Sequence, residues 1–145
     1  MIDELKNIEY VLFDLDGTVS DSSEGITKSA DKALKSEGIN VPFETLTSFI
    51  GPALRVSFGR YTDDVEKRDR MLDVYRERYS EKGWCENKIY PGMAELLRDL
   101  QKSGKHVVLA SAKPEYFCRK IIKYFGVEQY FDFIGGSDME GKRDD

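Results

Sequence analysis

The sequence is poor in the side chains on which many catalytic centres depend. Among its 145 residues are one histidine, His106, and two cysteines, Cys85 and Cys118. A single histidine argues against histidine-based metal sites and against a Ser-His-Asp triad. The cysteines stand far apart, with neither the spacing of a zinc site nor the density of a disulfide scaffold. We therefore interpret both cysteines as reduced structural thiols and His106 as a structural residue.

Long apolar runs and an excess of positive charge are also missing. No stretch approaches the roughly 20 apolar residues that a membrane-spanning helix needs, and residues 1–6 lack the features of a secretory signal. The net charge of −5 argues against a broad electrostatic grip on nucleic acid. The sequence therefore predicts a cytoplasmic globular protein that engages neither nucleic acid nor a membrane.

Three short apolar runs, each followed by small or acidic residues, predict the strands of a parallel sheet. They cover residues 8–13, 105–110 and 131–134, and we expect the first to be buried. Helical stripes precede and follow the second run: Met93, Leu96, Leu97 and Leu100, and then, after Pro114, Phe117, Ile121, Ile122 and Phe125. This alternation predicts an α/β, Rossmann-like core of three strands, with ligands at the strand C-termini.

Residues 21–87 interrupt that alternation because they contain no clear strand. Two apolar stripes at helical spacing predict helices there: Ile26, Ala30, Ala33 and Leu34, and then Val65, Leu72, Tyr75 and Tyr79. The expected organisation is a core made of residues 1–20 and 88–145, with residues 21–87 inserted as a helical cap.

The most informative segment is FDLDGTVSDS, residues 13–22. Asp14 and Asp16 follow a strand, and Gly17 allows the chain to turn so that both carboxylates and nearby amides reach one small volume. A carboxylate can act as a nucleophile toward phosphorus, and two anions meeting would need a hard divalent cation such as Mg²⁺. The alternative interpretation is an ordinary acidic turn at a strand end.

FDLDGTVSDS resembles the first motif of the haloacid dehalogenase superfamily. The resemblance implies that Asp14 is the nucleophile and that Asp16 is the general acid and base. It also implies that Mg²⁺ is held by the side chain of Asp14 and the backbone carbonyl of Asp16. It further implies phosphate binding by the Gly17–Thr18 turn. Ser111 in VVLASAK matches the second motif, whose hydroxyl and following amides, those of Ala112 and Lys113, would bind phosphate.

The helical insertion and YPGMAELLRDLQKSGKHVVLASAKP are similar to the phosphoglycolate phosphatase and β-phosphoglucomutase branch of that superfamily. In this branch the insertion is a cap, and Arg55 stands where a substrate-facing loop is common. An arginine there could hold a second anionic group of the substrate. Otherwise Arg55 is a surface residue on a short helix.

Two further family motifs, a lysine and a later acidic pair, have no clear match. Lys142 comes a few residues early, and Asp144-Asp145 follows no strand. We therefore expect a C-terminally truncated form that is weakly active or inactive. Its first strand would form an unprotected edge open to self-association.

The sequence thus predicts a Mg²⁺-dependent phosphomonoester hydrolase that forms an aspartyl-phosphate. The expected substrate is a small phosphorylated metabolite: phosphoglycolate, a nucleoside monophosphate or a sugar phosphate. The alternatives are a sugar-phosphate mutase of the same branch and a non-catalytic module that accepts or binds phosphate.

Overall fold

The computed structural model describes residues 6–138, and the chain divides into two compact units. The first unit combines the segment before Asp21 with the segment after Lys88, and the second is Asp21–Lys88. Among the described residues, no helix has the length and apolar character needed to span a bilayer.

Short strands and helices alternate through the first unit, whereas the second is almost entirely helical. The strands are β1 (Tyr10–Phe13), β2 (Ser20–Asp21), β3 (Lys88–Ile89), β4 (His106–Pro114) and β5 (Phe133–Ser137). The α-helices are α1 (Ser23–Ser36), α2 (Phe43–Leu46), α3 (Leu54–Gly59), α4 (Val65–Glu81), α5 (Met93–Lys102) and α6 (Glu115–Tyr124). Single 3₁₀ turns cover Thr47–Phe49, Gly83–Cys85 and Glu128–Tyr130.

The core of the first unit is a parallel three-stranded sheet in the order β1-β4-β5. Phe13 pairs in register with Leu109, and Leu109 with Ile134. This confirms the predicted α/β class with three parallel strands. Because parallel strands end at the same edge, the loops after β1, β4 and β5 lie together.

The expectation that the first strand is buried is wrong for its outer face. Tyr10 and Leu12 of β1 are 59% and 66% exposed, and Phe133 of β5 is 59% exposed. Val107 and Leu109 of β4, in contrast, are fully buried. Right-handed crossovers running in one direction across a sheet place their helices on the same face. Helices α5 and α6 therefore cover one face of the sheet, and the described residues leave the other face open.

The bounds of all three strands also differ from the sequence prediction: β1 begins at Tyr10 rather than at residue 8. Strand β4 continues past Ala110 to Pro114, and β5 is Phe133–Ser137 rather than residues 131–134. Pairing resumes between Pro114 and Ser137 after an irregularity. The residues directly after Ala110 have the composition of a loop, but the strand extends across them because β4 pairs with β5 again at Pro114.

The second unit contains the predicted helices, with α1 and α4 as its longest members. Its interior is partly aromatic: the rings of Tyr75 and Tyr79 stack at 5.6 Å, and Phe58 meets Tyr75 edge-on at 6.1 Å. The two-residue strands β2 and β3, which pair with each other, were not predicted. Pairs this short leave little periodicity in a sequence.

Candidate active site

Asp14 directly follows β1, at the edge of the sheet where the strands end. Its side chain is exposed, and its Oδ1 atom accepts a hydrogen bond of 2.7 Å from the amide of Leu15. That bond fixes the carboxylate beside the backbone. The second oxygen accepts no hydrogen bond from the described residues, so it is free to meet a ligand.

The loop from Leu15 to Ser20 is a compact turn that holds the acids in place. The carbonyl of Leu15 accepts hydrogen bonds from the amides of Thr18, Val19 and Ser20, at 3.0–3.2 Å. Gly17, at a φ of +80°, donates its amide to Ser20. The side chains of Leu15 and Val19 are fully buried and anchor the turn. The amides of Gly17 and Thr18 are therefore already used within the loop.

Asp16 and Lys113 join the loop after β1 to the end of β4. The ammonium of Lys113 lies 3.4 Å from Oδ2 of Asp16, and the two side chains are only 7% and 11% exposed. The Oδ1 atom of Asp16 is buried and has no hydrogen-bond partner among the described residues. An unpartnered buried oxygen is costly, so it marks a position where a ligand or an ion could be accepted.

Residues Ser111–Lys113 form a bulge in β4. Along β5 the pairing moves from Gly135 to Ser137, while along β4 it moves from Ala110 to Pro114. Three residues of β4 thus stand opposite one residue of β5. The hydroxyl oxygen of Ser111 accepts the amide of Lys113 at 3.1 Å, which closes the bulge. Bulges re-aim side chains near active sites.

Cys118 of α6 lies behind this cluster and is fully buried. Burial raises the pKa of its thiol to about 12; the Lys113 charge and the Ser111 hydroxyl oppose that rise, whereas the Asp16 and Asp14 charges add to it. The thiol donates a hydrogen bond of 3.5 Å to the carbonyl oxygen of Lys113, which places Cys118 next to the bulge. Cys118 was predicted to be a structural thiol, since a lone cysteine in a helical stripe carries no functional signal.

The oxygen donors at this sheet edge fit a magnesium ion. The exposed Asp14 carboxylate is a hard oxygen ligand, and Mg²⁺ commonly takes one or two carboxylates together with carbonyl oxygens, water and substrate phosphate. No group of three or more histidine, cysteine, aspartate or glutamate side chains that could hold a metal occurs within residues 6–138.

Three sequence predictions fall outside this cluster. Arg55 is exposed on α3 in the second unit. Lys142 and the pair Asp144-Asp145, weighed as substitutes for the missing motifs, lie outside the described residues. The cluster in the first unit thus consists of Asp14, Asp16, Ser111 and Lys113, with Gly17, Thr18 and Ala112 beside them.

The family model for haloacid dehalogenase-like hydrolases matches residues 11–143. The chain belongs to this family. The match includes both acids of the first loop and the whole of β4, so the resemblance drawn from FDLDGTVSDS is confirmed.

Curated relatives of this haloacid dehalogenase-like chain carry several names. It is 39% identical over 135 residues to a 5'-nucleotidase from Pseudomonas aeruginosa, covering 92% of this chain and 61% of that protein. It is 37% identical over 136 residues to the tyrosine-protein kinase PtkA of Mycobacterium tuberculosis, covering 93% and 46%. A phosphoglycolate phosphatase from Aquifex aeolicus is 31% identical over 137 residues, covering 94% and 64%.

Among solved structures, one described as a predicted phosphatase from Clostridium acetobutylicum is similar throughout. It is 44% identical with a TM-score of 0.88, and the match covers 93% of this chain and 63% of that one. The haloacid dehalogenase-like chain thus spans about half to two thirds of the length of the relatives it matches.

Proposed function

We propose that this chain is a Mg²⁺-dependent phosphomonoester hydrolase that works through an aspartyl-phosphate on Asp14. The observation that carries the proposal is the contact between Asp16 and Lys113. It joins the strand-end loop bearing both acids to the bulge bearing Ser111. A nucleophile, a proton carrier and a cation thereby meet at one sheet edge, as phosphoryl transfer requires.

In the first step, a carboxylate oxygen of Asp14 attacks phosphorus and the bond to the leaving oxygen breaks. Protonated Asp16 gives its proton to that oxygen, so an alcohol departs. The Ser111 hydroxyl and the Lys113 ammonium bind the transferring group. A bound Mg²⁺ would neutralise charge between the carboxylates and the phosphate.

In the second step, water attacks the phosphorus of the aspartyl-phosphate while Asp16 takes a proton from that water. Phosphate leaves and Asp14 is regenerated. At rest, Asp16 faces the Lys113 ammonium at 3.4 Å. We propose that substrate phosphate replaces Asp16 as the partner of Lys113, which releases the acid for proton transfer.

The decisive experiment replaces Asp14 by asparagine and measures hydrolysis of p-nitrophenyl phosphate with Mg²⁺. We expect a loss of at least about 10³-fold in kcat, because an amide cannot act as the nucleophile. Asp31→Asn on α1 is a matched control that should keep activity within about twofold. Undiminished turnover by the Asp14 variant would remove it as the nucleophile.

The same preparations separate the alternatives to hydrolysis. Isomerisation of a sugar phosphate by the unmodified chain would indicate a mutase. A phosphoryl group that stays on Asp14 without turnover would indicate a phospho-accepting module.

We further propose that residues 21–87 act as a cap that selects the substrate, a small phosphorylated metabolite. In this proposal, Arg55 binds a second anionic group of that substrate. Support comes from the exposure of Arg55 and from the strength of arginine as a ligand for carboxylates and phosphates. Arg55→Ala should raise KM for phosphoglycolate but not for p-nitrophenyl phosphate. Equal changes for both substrates would contradict this role.

We also propose that copies of this chain associate through the open face and edge at β1. Tyr10, Leu12 and Phe133 expose more than half of their side chains on that face, and an uncovered strand edge can pair with another chain. Leu12→Lys should shift the mass measured by light scattering toward the monomer. The control variant Lys102→Glu, on the opposite side of the sheet, should leave the measured mass unchanged. An unmodified chain that stays monomeric at high concentration would exclude the interface.

A further inference from the structure

The bulge at Ser111–Lys113 fits against β5 only because the residue opposite lacks a side chain. That residue is Gly136, the single β5 residue between the pairs Ala110-Gly135 and Pro114-Ser137. A Cβ atom built on Gly136 would lie 2.5 Å from the carbonyl oxygen of Lys113 and 2.7 Å from the amide nitrogen and Cα of Glu115. All three are backbone atoms, so a methyl group could fit only if the backbone of the bulge moved.

The neighbouring glycine behaves differently. A Cβ on Gly135 would meet a ring carbon of Phe133 at 2.9 Å, while the carbonyl of Leu109 lies 3.6 Å away. The Phe133 ring is 59% exposed and can turn aside. The chain therefore offers two adjacent strand glycines, of which only one is sterically tied to Lys113.

The Lys113 carbonyl is also held from its other side. The thiol of Cys118 donates to that oxygen at 3.5 Å. The raised pKa of Cys118 keeps the sulfur protonated, and hence a donor, across the neutral range. Contact with β5 and the hydrogen bond from α6 thus fix the backbone whose side chain reaches Asp16.

We infer that Gly136 is a positioning residue of the active site: its missing side chain sets the bulge that aims Lys113 at Asp16 and at substrate phosphate. Cys118 supports the same carbonyl from behind. The inference rests on the proposed function and adds to it a residue that touches no substrate. Displacing a catalytic group by about 1 Å can cost about 10²-fold in rate.

The test compares Gly136→Ala with Gly135→Ala, using p-nitrophenyl phosphate hydrolysis with Mg²⁺ and binding of inorganic phosphate by calorimetry. Gly136→Ala should lower kcat/KM by about 10- to 100-fold and weaken phosphate binding, while Gly135→Ala stays within about threefold. The loss of kcat/KM caused by Lys113→Ala should then be much smaller in the Gly136→Ala background than in the unmodified chain, because the lysine is already displaced there.

Additive losses in that double-mutant cycle, or equal losses for the two glycine variants, would overturn the inference. If Gly136→Ala fails to fold, the variants Cys118→Ala and Cys118→Ser decide instead. Low activity of Cys118→Ala together with near-normal activity of Cys118→Ser would support positioning of the Lys113 carbonyl. Equal activities of the two variants would refute that positioning. If the unmodified chain neither hydrolyses p-nitrophenyl phosphate nor binds phosphate, the proposed function fails. If it does both and Gly136→Ala matches it, only the positioning role fails.

Discussion

The ammonium of Lys113 lies 3.4 Å from Oδ2 of Asp16, and both side chains are almost entirely removed from solvent. Removing one member of such a pair leaves the other charge buried and uncompensated, which commonly costs about 3–5 kcal/mol. The contact therefore links the stability of the first unit to the geometry of the candidate active site.

Replacing Lys113 by methionine keeps most of the length of the side chain and removes its charge. We expect the free energy of unfolding to fall by about 3 kcal/mol, and p-nitrophenyl phosphate hydrolysis to fall as well. Adding Asp16→Asn should recover much of the stability but none of the activity. Urea unfolding followed by circular dichroism, together with the hydrolysis assay, measures both effects.

The control for that series is Lys102→Met, at the exposed C-terminal end of α5. It should change the free energy of unfolding by no more than about 0.5 kcal/mol. Equal losses from Lys113→Met and Lys102→Met would show that the Asp16 contact contributes nothing.

In the second unit, Arg78 holds Glu86 through hydrogen bonds of 2.7 and 3.2 Å. This contact is the main reason that the pKa of Glu86 lies below its ordinary value of 4.5. A lowered pKa in the folded state stabilises the fold above pH 4.5, and this contribution is lost as the pH falls through the folded value. Glu86→Gln should therefore lower the free energy of unfolding by about 1 kcal/mol at pH 7. The difference between this variant and the unmodified chain should shrink below about pH 4.5.

Glu24→Gln is the control for Glu86, since Glu24 and its partner Lys28 are each about half exposed. Exposed ion pairs contribute little to stability. The free energy of unfolding of this variant should therefore match that of the unmodified chain across the pH range. A Glu86→Gln deficit that stays constant from pH 7 to pH 3 would contradict the assignment to ionised Glu86.

Gly25 and Gly83 form a second close backbone contact, inside the helical unit. A Cβ on Gly25 would lie 1.9 Å from the carbonyl oxygen of Gly83. Gly25→Ala should destabilise this unit by about 1–3 kcal/mol, although alanine favours helices. Trp84, the single tryptophan, is adjacent and reports the unfolding by fluorescence. Gly59→Ala, which meets nothing within 4 Å, should be neutral or slightly stabilising.

Cys118 should resist thiol reagents in the folded protein. Its pKa is raised from 9.0 to about 12, which lowers the thiolate fraction by about 1,000-fold, and its side chain is fully buried. Cys85 is partly exposed. One thiol per chain should react with Ellman's reagent at pH 8 and two after denaturation. Fast labelling of native Cys85→Ser would show that Cys118 is accessible.

Much of the first unit could be predicted because its signals are local. The apolar residues before Asp14 predicted β1, the stripe from Met93 to Leu100 predicted α5, and FDLDGTVSDS placed two acids at the end of a strand. The bulge and Gly136 could not be predicted in this way. A polar stretch beside a strand and a glycine within one acquire their meaning only when β4 and β5 pair, and their register is not encoded in either segment alone.

The order of residues by itself determined the three strands, the helical character of residues 21–87 and the acid pair after β1, since hydrophobic period and turn chemistry depend on near neighbours. Only the tertiary structure decided that Lys113 meets Asp16 and that Cys118 lies behind them. It also decided that Tyr10 and Leu12 face solvent. These relationships join segments far apart in the chain, and they depend on which strand becomes the edge and which face the crossover helices cover.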